Sequence, residues 1–257
     1  MDRTEQDLLV VKLGGSVITE KDRAETLDGP ALSAAADAIA AAREDGDVGR
    51  LAIVHGGGSF GHHHASRHGV TTERGTHDAA AALSIHGAMT TLNRFVLSRL
   101  HDRDVPALPV HPLSVAARES DGALSCPLEQ VDAMLAEGFV PVLHGDGVVH
   151  RGEGITVLSG DELVCRLAEE LDAARVGVCS TVPGVLDSDG EVIREITAFE
   201  EVADTLGASE STDVSGGMAG KVRELLALSA PAYVFGPDDL SRFLRGESPG
   251  TRIDGSG

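Results

Sequence analysis

The chain has 257 residues, enough for the core of one large α/β domain or two small ones, and its hydrophobic fraction of 42% is ordinary for a globular protein. Aromatic residues make up only 3% and tryptophan is absent, so the core has to be built from Ala, Val, Leu and Ile. The formal charge of -20 at pH 7 argues against nucleic acid or an anionic membrane as a partner.

The acids are dispersed along the chain, and lysine occurs only at Lys12, Lys21 and Lys221, the other 18 basic residues being arginine. This balance is expected of a salt-adapted, cytoplasmic protein, because self-repulsion is screened where the Debye length falls to about 3 Å in 1 M salt. The opening MDRTEQDLLV is acidic and lacks the apolar core of a signal peptide. No segment approaches the uninterrupted apolar run of a membrane span. Cys126, Cys165 and Cys179 are odd in number and show no CxxC spacing, so buried thiols are expected rather than disulfides or a zinc site.

In chain order, DLLVVKL reads as a strand that ends at Gly14-Gly15, and GPALSAAADAIAAAREDG as a helix with a turn at each end. LAIV is a second strand and runs into HGGGSFGHHH. The longest helical pattern extends from about Thr76 to Leu100, and VPALPV is a short strand. LEQVDAMLAEG predicts a helix, FVPVLHGD a strand, and VVHRGEGITVLSGDE a hairpin that returns into the helix DELVCRLAEEL. AARVGVCS is again a strand, SGGMAGKVRELLALSA opens a helix, AYVF is a strand and PDDLSRFLRG a short helix; the closing GTRIDGSG reads as frayed. Strands joined through helices imply a mainly parallel sheet covered on both faces. The weakest boundary lies near residues 150 to 160, where a second lobe could begin.

Three glycine-rich turns, KLGGS, HGGGSFGHHH and VSGGMAGKV, each carry a lysine or histidine and each can present backbone N–H groups to an anion. A parallel sheet gathers such turns at the carboxyl ends of its strands. Two motif matches fail on inspection. Gly56, Gly58 and Gly61 fit G-x-G-x-x-G, with Glu73 or Asp78 near the distance of the ribose acid. That turn, however, follows the second strand rather than opening a βαβ unit. GGMAGK lacks the first glycine of a P-loop, Ser215 standing there, and Val222 replaces the magnesium-binding hydroxyl. The run His62–His64 suggests a metal, but adjacent residues splay apart and no neighbouring Cys or acid completes a set. One functional and two solvated histidines are expected instead.

VVKLGGSVITEKD, HGGGSFGHHHA, LHGDGVV with SGDELV, and DVSGGMAGKV, in this order and spacing, resemble the amino acid kinase superfamily. Within it they are most similar to archaeal isopentenyl phosphate kinases. The resemblance runs from about Leu8 to Phe235. KLGGS and GGMxGK are shared across the superfamily. The more specific signal is His62 after GGGSFG, which a fosfomycin kinase branch also keeps in similar form. The resemblance implies one domain over residues 1–257, a three-layer αβα sandwich on a central, mainly parallel sheet. About residues 1–150 would hold the phosphate acceptor and about 151–257 the nucleotide. The implied reaction transfers the ATP γ-phosphoryl group to isopentenyl phosphate, giving isopentenyl diphosphate and ADP for isoprenoid biosynthesis by the alternate mevalonate pathway.

Transfer between two anions needs positive charge at the moving phosphoryl group. By the resemblance, Lys12 reaches the ATP phosphates beside Gly14, Gly15 and Ser16, and Lys21 stabilises the transition state. Lys221, with Gly217, Gly58, Thr181 and Gly184, binds the nucleotide. Gly57, His62 and Gly160 bind the acceptor, His62 as a hydrogen-bond donor, and Asp161 orients the lysines. A compact ammonium suits a travelling point charge better than arginine's planar fork. STVPGV departs from the family pattern, with Val182 and Pro183 where acids are common. Mg²⁺ would sit on phosphate oxygens and water, with no protein metal cage. The helix bearing Ala82, Ile85, His86 and Met89, with Ile155 opposite, is expected to line a slot for the organic tail. A homodimer through the N-terminal half is implied as well. Two alternatives stay open: a kinase of the same fold for a phosphonate, carbamate or nucleoside monophosphate, or a non-catalytic protein that binds nucleotides or oxyanions.

Overall fold

β1 (Leu8–Leu13) is buried at every residue, and its side chains divide by parity. Leu8 and Val10 enter one apolar cluster, whereas Leu9, Val11 and Leu13 enter another. A strand apolar on both faces needs cover on both faces, which is how parallel sheets are stabilised. The computed structural model describes residues 6–207 and 217–255.

After β1 a single helical turn, α1 (Gly15–Ile18), leads to α2 (Gly29–Glu44), which Asp28 caps by accepting from Ala31 N at 2.9 Å. β2 (Arg50–His55) runs directly into α3 (Gly58–His68), and α4 (Ala79–His101) follows under an Asp78 cap. Next come β3 (Ala107–Pro109), α5 (Pro112–Val115), β4 (Ala117–Arg118), β5 (Leu124–Ser125), α6 (Glu129–Ala136) and β6 (Val140–His144). The hairpin of β7 (Asp146–His150) and β8 (Gly154–Leu158) returns into α7 (Gly160–Glu170). β9 (Arg175–Cys179), β10 (Glu195–Ile196), α8 (Ala203–Gly207), α9 (Gly217–Leu226), β11 (Ala232–Phe235), α10 (Leu240–Leu244) and β12 (Thr251–Ile253) complete the described chain.

The main sheet has the order β10-β12-β11-β9-β1-β2-β6-β3, parallel from β11 through β3, with β12 antiparallel to β11. β1 therefore lies in the middle, with strands from the first 150 residues on one side and from the last hundred or so on the other. α6, α7 and α9 cover one face and α2, α4 and α10 the other, the three layers expected. A smaller sheet, β5-β4-β7-β8, stands beside the main one. Among the described residues no helix is long and apolar enough to cross a membrane.

Two expectations change. GTRIDGSG is not frayed where it is described: Thr251 and Ile253 are fully buried in β12, and Thr251 Oγ1 accepts from Val185 N at 2.8 Å. A short segment with two β-branched residues, Thr251 and Ile253, on the inner face is held by the strand beside it. HGGGSFGHHH is more than a turn, because from Gly58 onward it forms α3, pinned by Phe60 in the core. The thiols of Cys126 and Cys179 are buried as expected, and Cys165 is half-buried.

Candidate active site

Register places the carboxyl ends of four strands side by side. Leu13 of β1 pairs with His55 of β2 and Cys179 of β9, and His55 pairs with His144 of β6. The residues that follow, Gly14-Gly15, Gly56-Gly57-Gly58, Gly145-Asp146 and Ser180-Thr181, all line one cleft of about 890 Å³. That size is typical of small-molecule sites. A second cavity, of about 660 Å³, opens at the amino ends of β2 and β9. It is lined by Glu129, Asp132, Glu170 and Asp172, with Arg50 already paired to Asp132 and Arg166 to Glu170, so it does not favour an anion.

The glycines of the first two turns are required by each other. A Cβ on Gly15 would lie 2.1 Å from Gly58 N, and one on Gly58, whose φ is +49°, would lie 2.2 Å from Thr19 Oγ1. The two turns pack backbone against backbone and bring the start of α3 against the end of β1.

Lys12 is buried near the end of β1, on the face covered by α7, and its Nζ meets Asp161 Oδ2 at 2.6 Å. Asp161 stands in the first turn of α7, which Ser159 caps by accepting from Glu162 N at 3.0 Å. Burial pulls the Lys12 ammonium below its ordinary value, and Asp161 partly offsets that. Burial alone would raise the Asp161 carboxyl, but Lys12 and then Lys221 outweigh it and hold the group below the usual range. Asp161 is thus both a helix N-terminal acid and the partner of a buried lysine.

Lys21 is different. It lies exposed on the loop after Thr19, lines the cleft, and has no ion-pair partner among the described residues. The loop itself is tied down. Thr19 Oγ1 donates to Gly15 O at 2.8 Å and accepts from Ser59 N at 3.0 Å; Thr26 N donates to Ser59 Oγ at 3.2 Å, and Glu25 N to Ser59 O at 3.2 Å.

His62 and His63 line the cleft from the first turns of α3. His64 is not solvated as expected: Nε2 donates to the Glu25 carboxylate and Nδ1 lies 2.7 Å from the Ser84 hydroxyl. An acid does reach the histidine run, but from another segment. Among the described residues no group of three metal-ligating side chains forms.

Of the other expected residues, Gly14, Gly15, Ser16, Gly57, Gly58, Gly160, Thr181, Lys221, Ile85 and Met89 all line the cleft. Gly184 does not; a Cβ there would meet Val192 and Thr251 side chains, so this glycine serves packing at the sheet edge. Gly217 opens α9 off the cleft wall, and Lys221 enters one turn later; Ser215 and the start of that motif lie outside the described residues. The tail slot also shifts. Val157, not Ile155, faces Ile85 and Met89, while Ile155 packs toward Gly147, and Ala82 and His86 are off the wall. His86 instead donates from Nδ1 to Asp146 Oδ2 at 2.8 Å. The sequence reading passes over Asp146, Ser180 and Arg74, which also line the cleft; Arg74 Nε donates to Gly69 O at 2.8 Å. Asp146 and Ser180 come into view through the paired ends of β6 and β9, whereas Arg74 enters from the loop between α3 and α4.

Glycine turns at a parallel sheet's carboxyl edge, with ammonium groups converging from both halves of the chain, define a site for moving a phosphoryl group. The chain belongs to the amino acid kinase family, whose model matches residues 7–232, and within it to the isopentenyl phosphate kinases. It is 62% identical over 248 residues to the isopentenyl phosphate kinase of Haloferax volcanii, covering 96% of this chain and 99% of that one. The isopentenyl phosphate kinase of Methanocaldococcus jannaschii is 30% identical over 96% of this chain and 98% of its own. A crystal structure of an isopentenyl phosphate kinase superposes with a TM-score of 0.82 at 29% identity, covering 96% of this chain and 99% of that one.

Proposed function

We propose that this chain transfers the γ-phosphoryl group of ATP to isopentenyl phosphate, giving isopentenyl diphosphate and ADP. The observation that carries the reading is one cleft in which Lys12 on Asp161, the exposed Lys21, Lys221 and His62 meet an apolar end made by Ile85, Met89 and Val157. An acceptor with a phosphate head and a short hydrocarbon tail needs that polarity gradient.

In this reading the first 150 residues or so hold the acceptor and the remainder the nucleotide. Gly57, Gly160 and His62 take the acceptor phosphate, His62 by donating a ring N–H. Lys12, Gly14, Gly15, Ser16 and Gly58 hold the transferring end of ATP, and Thr181 and Lys221 its other phosphates. Lys21 follows the charge as it spreads over the moving group. Mg²⁺ would supply charge neutralisation at the phosphates. Asp161 is already engaged by Lys12, and the described residues form no carboxylate cage, which suits an ion carried in by ATP with its water. The dispersed negative charge supports work in concentrated salt, in the cytoplasm, and exposed Leu83 and Phe95 on α4 support a homodimer.

The test is purified protein in concentrated KCl with ATP, Mg²⁺ and isopentenyl phosphate, followed by phosphorus NMR. Diphosphate should form, and His62→Gln should raise the KM for the acceptor about tenfold or more while sparing that for ATP. ATP binding without diphosphate would overturn the acceptor assignment, and turnover of a phosphonate, carbamate or nucleoside monophosphate that ignores His62 would replace it.

A further inference from the structure

Behind the cleft lies a histidine cluster that phosphoryl transfer does not itself require. His55 and His144 are fully buried, stacked with ring centroids 5.4 Å apart, and occupy matching positions as the last residues of β2 and β6. Each is followed by a glycine, and each ring returns to that glycine's carbonyl: His55 Nδ1 to Gly56 O at 3.1 Å, His144 Nδ1 to Gly145 O at 2.9 Å. A carbonyl only accepts, so both Nδ1 atoms carry the proton.

The far side of each ring then decides its charge. His144 Nε2 lies 2.9 Å from His111 Nδ1, which donates to it. His55 Nε2 lies 3.2 Å from the amide of Asn93, a fully buried side chain on α4 whose Oδ1 faces the ring and whose Nδ2 has no partner among the described residues. Two arrangements satisfy that contact. Either His55 is an imidazolium donating at both nitrogens, or the Asn93 amide turns its NH₂ toward a neutral ring. Among the described residues no carboxylate faces His55: its neighbours are Asn93 from α4, His144 from β6 and His111 beside them, while Asp146 is engaged by His86. A buried cation without a counter-ion is costly, whereas a turned amide only exchanges an orphaned donor for an orphaned carbonyl, which proteins tolerate better. Burial accordingly pushes His55 down to about 4.

We propose that His55 is a positioning residue for the acceptor phosphate: as the neutral Nδ1–H tautomer, held by an N–H from Asn93, it fixes the Gly56–Gly57 peptide so that the Gly57 N–H faces the cleft. In a planar trans peptide the C=O and N–H point opposite ways. A Gly56 carbonyl turned inward to a ring at the core therefore turns the Gly57 N–H outward, where it meets no acceptor among the described residues. Glycine at 56 and 57 leaves this peptide free to flip, and the ring is what removes that freedom. His144 does the same for the Gly145 carbonyl one strand over, beside the start of the β7–β8 hairpin. The inference about the phosphate rests on the acceptor reading above; the tautomer does not.

Long-range proton–nitrogen NMR on ¹⁵N-histidine-labelled native protein tests the tautomer directly, with His55→Asn identifying the signal. His55 should show a protonated Nδ1 and an unprotonated Nε2 that do not titrate between about pH 6 and 8. A protonated Nε2, alone or in an imidazolium, would overturn the proposal. Kinetics test the role. Asparagine keeps a donor near the Nδ1 position and glutamine moves it outward, so His55→Asn should hold the acceptor KM within about threefold and His55→Gln raise it about tenfold, with the KM for ATP unchanged in both. Equal losses in the two variants, or parallel rises for both substrates, would reduce His55 to packing. Absence of turnover by native protein would instead remove the function reading and leave the tautomer result standing.

Discussion

Lys12 and Lys21 lie nine residues apart on either side of one glycine turn, yet they are held in opposite ways. Lys12 is buried, locked to Asp161 at 2.6 Å, and has Gly160 so close that a Cβ there would come within 3.3 Å of its Cε. Lys21 is exposed, with its loop anchored through Thr19, Thr26 and Ser59 and its ammonium left unpaired among the described residues. A cation fixed by a carboxylate can mark where a phosphate must rest. A cation on a firm loop but with a free side chain can follow charge that moves. In the proposed reaction the pair divides the work between a stationary charge and a travelling one, and a compact ammonium suits both places better than a planar guanidinium fork.

Variants can break that comparison, and the largest effect is expected at the travelling charge. Removing one group that stabilises only the transition state lowers kcat by about 10²–10³, so Lys21→Ala should lose activity on that scale with both KM values little changed. Arginine sharpens the contrast: Lys21→Arg, in open space, should keep part of kcat, whereas Lys12→Arg must enlarge a filled slot and should lose both activity and stability, read by thermal unfolding. Asp161→Asn comes next. Breaking one side of a buried ion pair costs about 3–5 kcal/mol when a bare charge is left. Here the remaining Lys12 is already pulled down by burial and lies within reach of solvent in the cleft, so the loss in unfolding free energy should fall at or below the bottom of that range, with a raised KM for ATP.

The smallest effect concerns pH, and its sign follows from the buried histidines. Burial holds His55 at about 4 and His144 well below its ordinary 6.5. Both are released on unfolding, so between about pH 6.5 and 4 the unfolded chain binds protons that the folded chain refuses. The stability these groups permit is intact above 6.5 and lost as pH falls through that window, by at most about 1.4 kcal/mol per pH unit for each ring. Urea midpoints should therefore fall from pH 7 to pH 5, and His55→Asn should flatten the dependence. An unchanged slope in that variant would mean the His55 ring is not the source.

Much of this was legible in the sequence because the relevant signals are local. Short apolar runs such as LLVV and LAIV, and helical patterns such as GPALSAAADAIAAAREDG with a turn at each end, declare themselves by period and composition, and fold as read. The three lysines and the glycine turns likewise pointed to one anion site. What was not legible depends on contacts between distant segments. His64 meets Glu25 across 39 residues, His55 meets Asn93 across 38, and His86 meets Asp146 across 60. The register of β8 placed Val157 on the slot two residues beyond Ile155, a shift of one pleat that alternation alone leaves open. Gly184 lies off the cleft wall for the same reason, since the β12 residue that fills the space beside it reads as part of a loose tail.

The division of labour between the two lysines is tested most directly by single-turnover phosphoryl transfer from ATP to isopentenyl phosphate, with native protein and Lys21→Ala compared at saturation. The transfer rate should fall by about 10²–10³ while ATP and isopentenyl phosphate bind with affinities within about threefold of native. A transfer rate within tenfold of native, or a loss confined to ATP affinity, would contradict it and make Lys21 a binding residue like Lys12.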